Sequence, residues 1–278
     1  MILYTSFLLL SIALNSQYIP TMSDVAIDEI PKSSVREKAP RKKREPRVPL
    51  PAFYDKDKYQ FEIGIDEAGR GPMFGRLYIA GVVLPKDGSM DTTELRDSKK
   101  ISKKHLPQFY HYITQNALAY HVTYIEAAEI DEINIREAVV KGMHKCAFEI
   151  IEQLKEKQLS TAPPSTVSNP EPYFLMVDGN DFPPYYHDGN RISYQTFLQG
   201  DNTYANIAAA SILAKVSRDN YILELCKRYP LLSQQYEMHQ HMGYGTKKHL
   251  DAIRTYGITQ FHRKTFGLCK TATLKYLA

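Results

Sequence analysis

The stretch FEIGIDEAGRGPMFG, residues 61–75, constrains the fold of this chain most, because an apolar strand in it leads directly into a glycine-rich turn. Side chains alternate between the two faces of a strand, so one face carries Phe61, Ile63 and Ile65. Asp66 projects from the other face and is followed at once by Glu67. Two carboxylates at a strand end, beside a turn, are expected to be exposed enough to bind a ligand.

The turn after the acids combines two glycines with a guanidinium, in the order Gly69, Arg70, Gly71. Glycines let a backbone approach a ligand closely, and the guanidinium offers several donors to a phosphate. Acids and an anion-binding group attract partners of opposite charge. A metal ion held between the acids and a phosphodiester reconciles the two. The alternative interpretation is a surface turn with an incidental pair of acids.

Beyond this stretch, strand-like and helix-like patterns alternate, which predicts an α/β layer fold. Further strands are predicted at residues 77–84, 118–125, 173–177 and 192–198. Helices are predicted at 102–116 with Ser102 as the cap, at 135–154, at 207–216, and at 246–256 with Thr246 as the cap. Residues 160–171 are rich in Pro, Ser and Thr and are predicted to form a loop.

Four acids stand at the ends of predicted strands, although they are far apart in the sequence: Asp66, Glu67, Asp178 and Asp201. Strand ends can converge at one edge of a sheet. Two metal ions roughly 4 Å apart need several hard oxygen ligands, which a group of carboxylates supplies. Without cations such a group would repel itself. The four acids are therefore the candidate metal ligands and catalytic residues.

Three other acids have simpler explanations. Asp219 is the chief rival for the fourth position, but it follows Lys215 by four residues and is predicted to pair with it on one helix face. Asp181 and Asp188 fall in a polar loop, where turn-forming acids are common. All three are therefore expected to lie outside the metal site.

The histidine pair and the cysteines do not predict a zinc site. His239 and His241 form an H-x-H pair, but no cysteine or third histidine stands at a metal-site spacing nearby, so they are predicted to be loop residues. The three cysteines, Cys146, Cys226 and Cys269, are odd in number and far apart, which favours a reducing compartment. Cys146 lies in the apolar stripe of a predicted helix and is expected to be buried.

Residues 1–50 are predicted to be an extension of a domain that covers residues 51–278. The extension opens with an apolar run that is short for a membrane span and lacks a positively charged start. A start at Met22 would give an ordinary cytoplasmic protein without membrane association; a secretory or anchoring segment is the alternative. The arm that follows is poor in aromatics and is predicted to be flexible. Its basic cluster at 40–44 suits nuclear import or contact with phosphates.

The net charge of +4 would suggest a nucleic-acid partner, but most of this charge lies in the N-terminal extension. Residues 1–50 hold 8 Lys and Arg against 5 Asp and Glu, which leaves +1 for the rest. The affinity of the main domain for a polyanion must therefore come from local clusters. The available phosphate contacts are Lys99, Lys100, Lys103, Lys104, Lys247, Lys248, Arg263 and Lys264.

Seven sequence blocks occur in an order that is specific to one family. They are GIDEAGRGP, LRDSKKIS, AEIDEINIREA, VDGN, GDNTYANIAAASILAKVSRD, GYGTKKH and HRKTF. This series resembles the type 2 ribonucleases H, and specifically bacterial-type ribonuclease HII. The resemblance covers residues 61–267, and chance could supply one such block but not the ordered set.

The resemblance implies a ribonuclease H-like fold, with a central mixed sheet flanked by helices and a helical C-terminal part. It assigns the metal and catalytic roles to the four candidate acids, with Mg²⁺ or Mn²⁺ in a two-metal mechanism. It implies hydrolysis of the RNA strand of RNA-DNA hybrids and incision on the 5′ side of a ribonucleotide in duplex DNA, leaving 3′-hydroxyl and 5′-phosphate ends. The Gly69-Arg70-Gly71 turn is expected to sense the 2′-hydroxyl. Tyr244 is expected to read the RNA-DNA junction.

One departure from the family pattern is Arg76, which stands where a proline is usual. This residue is expected to affect the neighbouring strand and a substrate contact. The pair Met73-Phe74 is similar to ribonuclease HIII, but the arginine in the turn favours HII. Two alternatives share these features: a DNA junction nuclease of the same superfamily and a non-catalytic hybrid-binding module. A monomer without an obligatory protein partner is expected.

Overall fold

The computed structural model describes residues 48–161 and 171–277. The apolar run, Met22 and the basic cluster at 40–44 lie outside the described residues, as do residues 162–170 of the predicted loop. No helix in the described ranges is long and apolar enough to cross a membrane.

A mixed sheet forms the centre of the fold. Its strands are β1 (Tyr59–Ala68), β2 (Leu77–Val83), β3 (Ala119–Ile125), β4 (Glu171–Asp178), β5 (Tyr185–His187) and β6 (Asn190–Phe197). The strand order is β3-β2-β1-β4-β6-β5. β1, β4 and β6 run parallel to one another, whereas β2, β3 and β5 pair antiparallel with their neighbours.

Helices cover both faces of this sheet and build the C-terminal part. They are α1 (Leu106–Asn116), α2 (Ala127–Ile133), α3 (Ile135–Thr161), α4 (Ala205–Arg228), α5 (Leu231–Gln234), α6 (Met238–His241) and α7 (Lys247–Tyr256). Short 3-10 helices lie at Ser98–Lys100, Gly200–Asn202 and Gly267–Thr271. The predicted cap of α7 is confirmed, since the Thr246 hydroxyl accepts a hydrogen bond from the His249 N–H.

The two faces of β1 pack as the alternation predicts. Ile63 and Ile65 join the apolar core formed with α3, where Cys146 is also fully buried. The opposite face lies against α4. Gly64 permits this close approach, because a Cβ there would lie 2.4 Å from the backbone carbonyl carbon of Asn206. The first half of α4 is therefore buried on most sides, which explains the mostly apolar sequence of residues 207–216.

The parallel pairing decides where the candidate acids lie. Ile65 is opposite Val177 in the β1-β4 pair, and Asp178 is opposite Phe197 in the β4-β6 pair. The carboxyl ends of the three parallel strands therefore meet at one edge of the sheet. The chain leaves β6 through Gly200–Asn202, which brings Asp201 to the same edge.

Three predicted element boundaries were wrong for local reasons. α1 begins at Leu106, because Pro107 belongs to the first turn and the Ser102 hydroxyl bonds instead to Nδ1 of His105, at 3.0 Å. α3 continues to Thr161, so the predicted loop begins later than residue 160. α4 extends beyond the predicted 207–216 on both sides.

A short strand, β5, was also missed inside the segment predicted to be a polar loop. β5 and β6 form a hairpin whose turn contains Asp188 and Gly189, with φ values of 48° and 77°. An Asp-Gly pair with positive φ at both residues is a favoured hairpin turn. Asp188 thus has the predicted turn role, but between two strands.

Candidate active site

Asp66 and Glu67 lie within β1 rather than beyond it, because the strand continues to Ala68. Asp66 is therefore only 5% exposed, in contrast to the expected exposure. Its side chain points toward α4, where it accepts a hydrogen bond from Ser211, and its Oδ1 lies 2.7 Å from the Glu67 N–H. The Asp66 carboxylate is thus held by two donors.

Asp178 and Asp201 are connected through a single turn. Oδ1 of Asp178 accepts a hydrogen bond of 2.6 Å from the Gly200 N–H, so the last residue of β4 binds the turn that holds Asp201. A Cβ at Gly200 would lie 3.3 Å from that oxygen. The glycine therefore allows the backbone to approach the carboxylate.

Electrostatic interactions place Asp178 near each of the other three acids, and the four together are called the pocket. Burial, followed by the charges of Glu67 and Asp178, raises the pKa of Asp66 well above its usual range. Burial also raises the pKa of Glu67, although Arg70 opposes this, and Asp178 raises it further. Burial, Asp97 and Asp178 raise the pKa of Asp201 to about 6. Asp178 therefore interacts with each of the other three acids.

This donor set fits hard divalent cations. The pocket offers carboxylate oxygens, which Mg²⁺ and Mn²⁺ prefer. The nearest cationic groups stay at its rim: Nζ of Lys99 is 3.9 Å from Asp201, and Nη1 of Arg70 is 3.6 Å from Glu67. Divalent cations would offset the repulsion among the acids, which adds to the larger effect of burial in raising their pKa values. In the described ranges, the group of three possible ligands whose atoms all lie within 4.8 Å of one another does not include these acids. The four acids are therefore spaced more widely than the ligands of a single compact ion site.

The Gly69-Arg70-Gly71 turn rests on a buried arginine. Gly69 has a φ of 100°, and a Cβ there would lie 2.3 Å from Nε of Arg218. Arg218 is fully buried and donates hydrogen bonds to the carbonyls of Phe74, at 3.1 Å, and Met242, at 2.9 Å. Its guanidinium also lies 5.7 Å from the ring centre of Tyr244, which is 47% exposed. One buried cation thus contacts both predicted substrate-binding segments.

Comparisons with known proteins identify the family to which this fold and pocket belong. The family model described as Ribonuclease HII matches residues 63–269. The chain belongs to the ribonuclease HII family. It is therefore a metal-dependent endonuclease of the ribonuclease H type, which sets aside the non-catalytic binding module.

Individual relatives agree with this assignment. Ribonuclease HII of Parabacteroides distasonis is 41% identical over 209 residues, which cover 75% of this chain and 91% of the relative. That of Oceanobacillus iheyensis is 38% identical over 218 residues, which cover 77% of this chain and 72% of the relative.

Solved structures support the fold. Pyrococcus horikoshii ribonuclease H2 superposes with a TM-score of 0.56 at 21% identity, covering 76% of this chain and 95% of that one. Archaeoglobus fulgidus ribonuclease HII, solved in complex with PCNA, gives 0.54 at 23% identity, covering 75% and 96% of the two chains.

A second buried arginine in this ribonuclease HII chain corrects a prediction. Arg263 was predicted to be a phosphate contact, but it is fully buried and donates to the carbonyls of Gly75, at 3.0 Å, and Arg70, at 3.2 Å. Burial, with Arg218 nearby, lowers its pKa to about 9. The sequence did not predict the role of Arg218, because this residue stands in the polar stretch SRDN just after the apolar residues 207–216.

Two further buried residues lie beside the candidate acids, in the block whose lysines were predicted to contact phosphates. Ser98 bonds through its hydroxyl to that of Ser211, at 3.1 Å, and both are buried. Asp97 is buried beside Asp201 and caps the 3-10 helix that presents Lys99. Lys99 itself is exposed. Burial lowers its pKa, but Asp97 and Asp201 outweigh that effect and raise it.

The rival acids are engaged elsewhere. Asp219 receives two hydrogen bonds from Nζ of Lys215, at 2.6 and 2.5 Å, which confirms the predicted pairing. Asp181 pairs with Arg136 through two hydrogen bonds of 2.6 and 2.9 Å. Asp219 and Asp181 are therefore paired with basic side chains rather than grouped with the four candidate acids.

His239 and His241 do not form loop residues as predicted, because α6 includes both. His241 bonds to the Tyr236 carbonyl, at 2.7 Å, and its own carbonyl accepts a hydrogen bond from the N–H of Tyr244. His241 therefore lies beside Tyr244.

Proposed function

We propose that this enzyme hydrolyses the RNA strand of RNA-DNA hybrids and incises duplex DNA on the 5′ side of an embedded ribonucleotide. The products are 3′-hydroxyl and 5′-phosphate ends. The supporting observation is that Asp178 interacts with each of the other three acids at one edge of the sheet. The nearby glycine turn packs against buried Arg218.

In this proposal Asp66, Glu67, Asp178 and Asp201 hold two divalent cations, Mg²⁺ or Mn²⁺. Bound cations of this kind supply a nucleophile at neutral pH and stabilise charge on the transferring phosphoryl group. The protein contributes preorganisation. Ser211 and the Glu67 N–H hold Asp66, and the Gly200 N–H holds Asp178, so these carboxylates need little reordering when substrate binds.

Substrate selection is assigned to the turn and the loop that Arg218 connects. The backbone of Gly69-Arg70-Gly71 reads the 2′-hydroxyl, which distinguishes RNA from DNA. The Arg70 side chain is half exposed and only loosely paired with Glu67, so it remains available to a phosphate. Tyr244 offers an exposed ring to the sugar or base at the junction. Lys99, whose side chain is 79% exposed, offers a phosphate contact at the pocket edge.

Cleavage of matched duplexes tests the specificity. A duplex with a single ribonucleotide, the same duplex made entirely of DNA, an RNA-DNA hybrid and a four-way DNA junction are each incubated with Mg²⁺, Mn²⁺ or chelator. We expect cation-dependent cutting of the hybrid and of the ribonucleotide-containing duplex, with the incision 5′ of the ribonucleotide. Preferential cutting of the all-DNA junction would instead support the DNA junction nuclease.

Two acid variants test the site assignment. Asp178→Asn removes the charge that interacts with the other three acids, and we expect cleavage to fall by more than about 100-fold, because metal-held charge stabilisation contributes several kcal/mol. Hybrid binding should remain measurable by fluorescence anisotropy. Asp219→Asn is the matched control and should keep wild-type cleavage. Near wild-type turnover by Asp178→Asn would remove that residue from the site.

A further inference from the structure

A second group of metal-ligating side chains lies where the β5-β6 hairpin meets α3. Glu152, His187 and Asp188 each offer one ligand atom, and these atoms all lie within 4.8 Å of one another. Nε2 of His187 is 2.8 Å from Oε1 of Glu152 and 3.8 Å from Oδ2 of Asp188. Ligands at about 2.1 Å from one ion are separated by roughly 3.0–3.4 Å, and the two distances bracket that range.

The histidine at the centre of this group is already oriented. The His187 side chain is only 3% exposed, and its Nδ1 lies 3.2 Å from the Tyr185 hydroxyl. The ring of Phe148 packs against the imidazole, with 5.2 Å between the ring centres. Metal-binding histidines commonly use the second ring nitrogen for a partner of this kind, which leaves the other nitrogen directed at the ion.

A single ammonium group already lies among the three ligand atoms. Nζ of Lys155 is 2.9 Å from Glu152, 2.8 Å from Nε2 of His187 and 2.5 Å from Asp188. The two carboxylates carry two negative charges and Lys155 neutralises only one. These contacts lower the pKa of Glu152 and of Asp188, so both carboxyls are ionised at neutral pH.

The ammonium also has a route out of the group. The Lys155 side chain is one-third exposed. It lines a cavity of about 330 Å³ that also borders His187, Asp188 and Ser193. A flexible four-carbon stem can move the ammonium into this space while an ion takes its place.

We propose that Glu152, His187 and Asp188 form a second metal site, which takes Zn²⁺ or a similar divalent transition ion in exchange for the ammonium of Lys155. One imidazole nitrogen with two carboxylate oxygens suits zinc better than magnesium, and an open fourth position suits a water molecule. This group shares no residue with the four catalytic acids.

The position of this second site indicates what it does. It joins the turn of the β5-β6 hairpin to α3, at the opposite end of β6 from Phe197 and the pocket. The two ends of this 8-residue strand are separated by about 23 Å, at about 3.3 Å per residue step. A bound ion would therefore fasten the hairpin to the helix and stabilise the fold, away from the four acids.

Competition with a fluorescent zinc chelator tests the proposal on the full chain. The background is Asp178→Asn, which weakens cation binding in the catalytic pocket. Lys155→Met removes the competing ammonium, and we expect Zn²⁺ to bind this variant at least 10-fold more tightly than the background. Adding His187→Gln should cancel that gain. Lys141→Met is the matched control, because Lys141 lies on the same helix and pairs with Glu129.

Thermal unfolding provides a second measurement. Zn²⁺ should raise the Tm of the Lys155→Met chain and should not raise it when His187→Gln is also present. If Lys155→Met does not fold, Co²⁺ is added instead to the wild-type chain and to the His187→Gln variant. The visible absorption of Co²⁺ then decides the question, because a nitrogen ligand changes that spectrum. The proposal is overturned if Lys155→Met binds no more tightly than the background, or if His187→Gln changes neither the affinity nor the spectrum.

Discussion

Gly69 and Gly71 flank the same arginine but differ in what surrounds them. Gly69 has a φ of 100°, and a Cβ there would meet Nε and Cδ of Arg218 at 2.3 and 2.6 Å. At Gly71 a Cβ would have no neighbour within 4 Å. The sequence motif alone does not distinguish the two glycines. The structure assigns the backbone constraint to the first glycine.

This difference predicts unequal effects of two single substitutions. Gly69→Ala should lower the free energy of unfolding by about 1–3 kcal/mol or more, because it combines a strained backbone with a clash against a buried side chain. Gly71→Ala should stay within about 0.5 kcal/mol of wild type. Urea unfolding monitored by circular dichroism measures both. Equal losses would show that Arg218 moves aside without cost.

Asp201 predicts a dependence of stability on pH. Burial, Asp97 and Asp178 raise its pKa to about 6, whereas an aspartate in an unfolded chain titrates near about 4. Between these values the folded state binds more protons than the unfolded state, so this group lowers stability as pH rises. Asp201→Asn lacks that ionisation. In chelator it should exceed wild-type stability by up to about 2 kcal/mol near pH 7.5 and match it near about pH 4.

Urea unfolding of both proteins at the two pH values, without divalent cations, makes this comparison. The side chain also accepts a hydrogen bond from Asn202, at 3.0 Å, which an asparagine oxygen can retain. A variant less stable than wild type at both pH values would contradict the assigned ionisation.

At the scale of elements, Arg76 explains how the start of β2 is attached to its neighbours. Its guanidinium lies 3.9 Å from the ring centre of Tyr124 in β3 and 4.4 Å from that of Tyr221 in α4. It also donates two hydrogen bonds to Glu126, at 2.9 and 2.6 Å. The arginine that departs from the family pattern therefore connects β2 with β3 and α4.

A double-mutant cycle should measure this connection. Arg76→Ala and Glu126→Ala, made singly and together, are expected to give a coupling energy of about 1 kcal/mol in unfolding experiments, because two guanidinium nitrogens donate to Oε1 of Glu126 and the arginine is largely covered. The control cycle uses Arg254 and Asp251, an exposed pair on α7, and should give less than about 0.5 kcal/mol. Comparable couplings would mean that the aromatic rings do not order Arg76.

At the scale of the whole molecule, the C-terminal part supports the turn that carries the active-site motif. The N–H of Gly75 bonds to the Phe261 carbonyl, at 2.8 Å, and the N–H of Arg263 bonds to the Met73 carbonyl, at 2.8 Å. Together with the bonds that Arg263 donates, these contacts hold residues 70–75 from one side. The C-terminal residues thus support the turn that follows Asp66 and Glu67.

Two truncations test this organisation. A chain of residues 48–278 should unfold cooperatively and cleave an RNA-DNA hybrid with kcat/KM within about threefold of the full chain, because the described core and the family match both lie within it. A chain that ends at residue 257 should lose cleavage, since it lacks the contacts of Phe261 and Arg263. Full activity of the shorter chain would refute the supporting role.

The sequence by itself determined the alternating strands and helices and the placement of four acids near strand ends. These features depend on side-chain alternation, apolar periodicity and turn-forming residues, which act over a few neighbours. Thr246 and the pairing of Lys215 with Asp219 were predictable for the same reason.

Only the tertiary structure decided what holds the site together. Ser98 meets Ser211 across 113 positions, Arg218 meets Phe74 across 144, and Arg263 meets Arg70 across 193. No local pattern encodes such contacts, because they depend on how the sheet and α4 pack. The burial of Asp66 and the convergence of Glu152, His187 and Asp188 have the same origin, since strand register and helix packing place those side chains.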